Sequence, residues 1–284
     1  MVRISIILLA AICVVLSFRA IGVQAQSAER QHPTPAAQDP PAKPTDIIES
    51  ASHVQAPPAT YKFPHGQNLI YGGEWRLFNA GTATLQLENN GQDGRIVITA
   101  DSTGAVALLY HVHDRMESVI DPKTFCSRSL KKHTEEGFRR VDTNLAVDYP
   151  RKKAVYDEKN LKNNSSKHAE NDVPECVSDV ISGIFYAGTV QAEPGGQFSF
   201  PLNDGGKTVD VRVHVEAREE IKVPAGTYKT IRMQPEVLSG PLKGKGKVWV
   251  WYSEDANHIP VQMRAKMFWG TLSFKLQRME QAGK

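Results

Sequence analysis

Residues 203–216 read Asn203-Asp204-Gly205-Gly206-Lys207-Thr208-Val209-Asp210-Val211-Arg212-Val213-His214-Val215-Glu216. Asn-Asp-Gly-Gly is a turn signal, because these residues accept the positive φ that tight hairpins demand. Beyond it, valine occupies every odd position from 209 to 215, while Asp210, Arg212, His214 and Glu216 fill the places between and after. A period of two puts the valines on one face of a strand and the charges on the other. This is a half-buried antiparallel strand leaving a hairpin.

The same pattern extends in both directions. Toward the C-terminus, strands are expected over Gln197–Leu202, Glu220–Val223, Thr227–Gln234, Lys247–Tyr252, Val261–Phe268 and Gly270–Met279, with a turn at Pro224-Ala225-Gly226. Toward the N-terminus, Leu69, Tyr71 and Gly73 alternate with Ile70, Gly72 and Glu74. A turn is read at Asn79-Ala80-Gly81, then strands over Thr82–Glu88, Arg95–Asp101, Val106–Asp114 and Ser118–Asp121. Residues 150–172 carry many Lys, Asn and Ser with few apolar anchors, and read as a solvated loop. Its basic tract lacks the aromatic interleaving of a nucleic-acid platform. Residues 240–247 read as a basic hairpin tip.

One amphipathic helix is expected over 174–188, with Pro174 and Glu175 in the first turn and Val177, Val180, Ile181 and Ile184 on one stripe. The fold class is therefore mainly β: a single antiparallel curved sheet or incomplete β-barrel with one packed helix.

The N-terminus sets the compartment. Arg3 precedes an apolar run from Ile4 to Leu16, and Val23-Gln24-Ala25 supplies a small-residue cleavage site. The run is shorter than the roughly 20 residues of a membrane span, so residues 1–25 read as a secretory signal peptide and the mature protein as periplasmic or secreted. Residues 26–60, with seven prolines among Ala, Gln and Ser, read as an extended linker, and 61–280 as the β-rich domain. Losing Arg3 and Arg19 lowers the formal charge from +3 to about +1, so no global field attracts nucleic acid or anionic lipid. Membrane contact is then expected only through the transient signal peptide.

Cys13 leaves with the leader. Cys126 and Cys176 remain, an even pair outside any CxxC setting, and in an oxidising compartment they are expected to form a disulfide. That bond would staple the helix to the sheet.

Chemistry is sparse. His111 and His113 share one strand face and are a candidate metal pair, with a third ligand to come from Asp114, His133 or His214. There is no Gly-x-Ser-x-Gly elbow and no P-loop, and no catalytic residue or cofactor is assigned. Ser178-Asp179 and Ser253-Glu254-Asp255 are read as caps and turns. Trp249 and Trp251 share a face. With Phe268, Phe274 and the helix residues Ile181, Ile184 and Phe185 they either pack a core or line an apolar cleft for a lipid or other hydrophobic molecule.

Several stretches resemble an exported bacterial family, domain of unknown function 3108. They are Gly66–Tyr71 with Ala80–Ala83, Pro174–Val180, Val223–Thr230, Val248–Ser253, His258–Val261 and Gly270–Leu272. The resemblance implies an exported, mostly β domain and transfers no activity or site residue.

The expected function is a non-enzymatic envelope protein that binds an apolar or amphiphilic ligand or a cell-envelope partner. The alternatives are a metal-dependent envelope enzyme using His111 and His113, and a structural protein pairing through a sheet edge.

Overall fold

The structure, a computed structural model, describes residues 54–282 apart from Leu77, Asp204, 239–245, Phe268 and Trp269. The leader, the linker up to residue 53, most of the basic tip and the candidate ligand residue Phe268 thus lie outside the described residues.

The chain is a meander. In order come β1 (Gln67–Trp75), β2 (Phe78–Asn89), β3 (Gly94–Ser102), α1 (Gly104–Leu109), β4 (Val112–Ile120), β5 (Ser127–Glu136), β6 (Arg139–Asp148), β7 (Lys153–Asn160) and β8 (Ser166–Asp172). Then follow α2 (Val180–Thr189), β9 (Gln197–Asn203), β10 (Thr208–Val223), β11 (Gly226–Val237), β12 (Lys247–Ser253), β13 (Pro260–Met267) and β14 (Gly270–Gln281). All fourteen strands join one sheet, ordered β8-β7-β6-β5-β4-β3-β2-β1-β14-β13-β12-β11-β10-β9. The first and last strands pair in its middle, Leu69 opposite Met279 and Trp75 opposite Leu272.

The sheet coils until its two edges meet at one corner. Asn203 Nδ2 donates to Asn171 Oδ1 at 2.6 Å, and the Thr208 hydroxyl donates to the Asp172 carbonyl at 3.0 Å. Gly205, at φ +97°, lies so close to Tyr156 that a Cβ there would sit 2.1 Å from the ring. The expected incomplete barrel is what forms.

Several local expectations shift. Residues 208–223 form one strand of 16 residues, with the register stepping between Val215 and Ala217, so Glu216 occupies a bulge. The first hairpin turns at Arg76, with β2 running straight through Asn79–Gly81. Residues 104–109 are helical, not extended. The 150–172 segment is a hairpin rather than a loop, because Ala154 and Tyr156 are buried on one face of β7 while the other face is charged.

Helix α2 starts at Val180, later than expected, and fills one end of the coil. Ile181, Phe185 and Tyr186 are buried, and the Tyr186 ring meets Phe200 edge-on at 4.9 Å. The Tyr252 hydroxyl donates to the Ile184 carbonyl at 2.7 Å. The disulfide Cys126–Cys176 ties the approach to α2 onto the start of β5, with Cα atoms 5.1 Å apart. Residues 54–63 add a strap over this end. Gln55 N–H donates to the Tyr186 hydroxyl at 3.0 Å, and the Tyr61 and Phe63 rings pack on Phe125 at 5.7 and 6.3 Å. These contacts attach residues 54–63 to the β-rich body.

Candidate functional site

Because every strand reverses its neighbour, the connections β1–β2, β3–β4, β5–β6 and β7–β8 lie at the end opposite the one α2 plugs. Here large apolar side chains stand in solvent: Phe78 is 66% exposed, Leu108 90%, Leu109 79%, Phe138 90% and Leu161 37%. Among the described residues they make up all but one of the exposed large hydrophobics. Isolated exposed leucines need no explanation, but a set sharing one end of a molecule marks a contact surface.

The tips are held to one another. Thr103 N–H donates to the Ala80 carbonyl at 3.1 Å, docking α1 on β2, and α1 buries Val106 while Leu108 and Leu109 point away. Gly137 N–H donates to the His111 carbonyl at 2.8 Å, with Tyr110 against Gly137. Gly137-Phe138 is a two-residue turn with positive φ at its first position only, the type II′ pattern, which leaves Phe138 at the summit. Leu161 N–H donates to the Arg140 carbonyl at 2.9 Å, and the Lys162 ammonium sits 5.1 Å from the Phe138 ring centroid.

Beneath the tips the interior holds two buried acids among apolar side chains such as Val112 and Val141. Asp114 on β4 and Glu136 on β5 are both buried, at 1% and 3% exposure. Asp114 Oδ1 accepts from the Glu135 amide at 2.9 Å. Its Oδ2 is buried with no hydrogen-bond partner, and Glu136 lies diagonally across on the neighbouring strand. Burial first, then the charge of Asp114, pushes the Glu136 carboxyl up to about 8, with Arg139, 4.0 Å away, opposing. Burial likewise raises Asp114. Two buried carboxyls in one pocket disfavour double ionisation, which is the direction of both shifts.

The residues singled out from sequence fall in several places. Ile181, Phe185 and Phe274 are buried in the interior and Ile184 is half-buried. Trp249 and Trp251 face the other way. Val250 and Tyr252 enter the core between Met233, Ile231 and Met263, so the tryptophans lie on the outer face. There Trp251 Nε1–H donates to Glu219 at 2.7 Å and Trp249 Nε1–H to Glu216 at 3.2 Å. Arg232 pairs with both glutamates at 2.7 Å, and the guanidinium groups of Arg232 and Arg264 lie 5.9 and 5.3 Å from the Trp251 ring. These described residues do not face one common cleft.

His111 and His113 are both exposed, and His113 Nδ1 meets Asp101 at 2.6 Å. The proposed third ligands lie elsewhere: Asp114 is buried on the opposite face, His133 meets Asp142 at 2.6 Å, and His214 meets Glu236 at 3.3 Å. Among the described residues no three such side chains converge.

Ser178-Asp179 and Ser253–Asp255 do act as caps and turns. Asp179 accepts from the Ile181 and Ser182 amides at 2.8 and 2.9 Å, and Asp255 from the Ser253 hydroxyl at 3.0 Å. Edge strand β8 presents Lys167, His168, Glu170 and Asp172, charges that discourage edge pairing.

Sequence reading missed the rim and the acid pair. A lone Phe after Gly137 between two charged strands, and a lone Leu within a lysine tract, were the available signals.

The likeness to solved structures is one of fold. A β-barrel-like protein of domain of unknown function 1849 from Brucella abortus superposes with TM-score 0.51 at 9% identity, over 81% of this chain and 99% of that one. A protein from Parabacteroides distasonis described as a "putative lipoprotein" superposes with TM-score 0.38 at 9% identity, over 81% of this chain and 100% of that one. A protein from Bacteroides fragilis described as a "putative exported protein with YmcC-like fold" gives 0.35 at 8% identity over 78% and 98%. No curated protein sequence matches. Residues 69–277 match the family described as "Protein of unknown function (DUF3108)", and the chain belongs to that family.

Proposed function

We propose that this is an exported, non-enzymatic cell-envelope protein that works by binding an amphiphilic envelope component through its apolar rim. The observation that carries this reading is the joint exposure of Leu108, Leu109 and Phe138 on tips that hydrogen bonds hold side by side. The leader favours export. The serine, aspartate and histidine pairs that sequence alone makes suspect are engaged in caps, turns and surface ion pairs, which favours binding over catalysis.

Fractionation of native cells tests it, with intact mass confirming cleavage after Ala25 and one disulfide. Wild-type protein is expected in the envelope pellet, and a Leu108→Ser/Leu109→Ser/Phe138→Ser variant in the soluble fraction. Equal retention of both refutes the reading.

A further inference from the structure

We infer that the surface met by this rim is a phospholipid bilayer bearing anionic headgroups. The inference rests on the reading above and names its partner.

The first argument is shape. A protein partner is ordinarily met by a groove or a continuous patch, whereas here Phe78, Leu108-Leu109, Phe138 and Leu161 stand on four separate connections with polar backbone between them. Separate apolar tips suit a fluid surface, which fills around each one without a matching pocket.

The second argument is charge. The tip segments 76–78, 103–111, 137–140 and 159–167 contain Arg76, Arg139, Arg140, Lys159, Lys162 and Lys167 and no Asp or Glu. Arg139 and Arg140 face Glu136 and Glu135 just below and Arg76 stacks on the Trp75 ring, while the three lysines are exposed. At the opposite end, the connections 90–93, 121–126, 149–152, 190–196, 224–225 and 254–259 carry Asp93, Asp121, Glu193, Glu254 and Asp255 against Lys123, Arg151 and Lys152. In a mature chain near neutrality, the four apolar tips are thus cationic where they are apolar. The expectation from net charge alone, that lipid contact ends with the leader, overlooks this local field.

The third argument is the Lys162 ammonium over the Phe138 ring, 5.1 Å from its centroid. A cation on the β7–β8 tip set over an aromatic ring on the neighbouring β5–β6 tip would place charge at the headgroups while the ring enters the acyl boundary.

Vesicle flotation of the mature chain decides the matter, using phosphatidylcholine alone and phosphatidylcholine mixed with phosphatidylglycerol. Binding is expected to the mixed vesicles and to fall with added salt. The Leu108→Ser/Leu109→Ser/Phe138→Ser variant should bind at least tenfold more weakly, since one buried leucine is worth about that factor. Lys159→Gln/Lys162→Gln/Lys167→Gln should lower mixed-vesicle binding toward the phosphatidylcholine level. Thermal melting verifies that both variants fold. Wild-type protein floating with neither vesicle, or both variants floating as wild type, overturns the inference. If the serine variant nevertheless leaves the envelope pellet, the rim still binds but its partner is a protein. If that variant stays in the pellet, the functional reading itself fails.

Discussion

The Ser118 hydroxyl donates a 2.6 Å hydrogen bond to Asp179 Oδ2 across 61 positions of chain, and Ser127 donates to the same oxygen at 2.6 Å. Oδ1 meanwhile accepts the Ile181 and Ser182 amides that open α2. One fully buried carboxyl therefore caps the helix and clamps it to β4 and β5. Replacing it orphans four donors in a dry site. Asp179→Ala is expected to cost roughly 3–5 kcal/mol, and Asp179→Asn, which keeps an acceptor for the amides, roughly 1–2 kcal/mol. Urea unfolding of both variants checks the order; an Asp179→Ala loss under 1 kcal/mol would show the clamp to be dispensable.

The Cys126–Cys176 bond closes a 50-residue separation beside that clamp. Chain-entropy arguments assign such a loop about 4 kcal/mol. Cys126→Ser/Cys176→Ser should lose most of that in a urea titration. Since Ser127 adjoins Cys126, its effect should be non-additive with Asp179→Ala. Strict additivity would mean that bridge and cap hold α2 independently.

Acidity at the rim gives a prediction of opposite sign to the usual carboxylate. Burial and Asp114 raise the Glu136 carboxyl to about 8 in the folded protein, above its ordinary unfolded value. The folded state then holds more protons than the unfolded one, so this contribution is complete below the unfolded pKa and is lost as pH rises through about 8. Stability should decline by roughly 2–4 kcal/mol between pH 5 and pH 9, and Glu136→Gln should flatten the decline. Denaturant midpoints across that range decide; a variant as pH-dependent as wild type would place the titration elsewhere.

Closure of the sheet has its own test. Gly205 combines φ +97° with a Cβ position 2.1 Å from the Tyr156 ring. Gly205→Ala must strain its own backbone and displace that ring, costing about 2 kcal/mol or more. Tyr156→Ala removes the clash, so the double variant should lose less than the two single losses summed. Hydrogen exchange in β7 and β8 reads the corner directly, and unchanged protection in Gly205→Ala would show the edges do not depend on it.

Some of this protein was determined by sequence alone. Alternation at Val209–Val215 is a local consequence of strand geometry, and so are the Ser178-Asp179 cap and the shared face of Trp249 and Trp251. Which face goes inside is not local. Met233 and Met263 flank Val250, while Arg232 and Arg264 flank the tryptophan face, and only the register of β11, β12 and β13 makes the first set core and turns the second outward, where Trp251 is buried beneath the arginines. Strands β5–β8 escaped notice because buried Thr134, Glu136 and Thr143 interrupt the apolar period that Leu130, Val141, Leu145 and Tyr156 would otherwise show. Helix α2 begins at Val180 because Ser178 is drawn into a parallel bridge with Leu202 and Cys176 is bonded to Cys126, contacts that hold the preceding chain extended. The rim was decided by topology. Phe78, Leu108, Leu109, Phe138 and Leu161 are scattered through 84 positions of sequence. They become one surface because successive antiparallel reversals return their connections to the same end. Periodicity records what each strand needs of its own neighbours along the chain; burial and convergence are set by neighbours across the sheet.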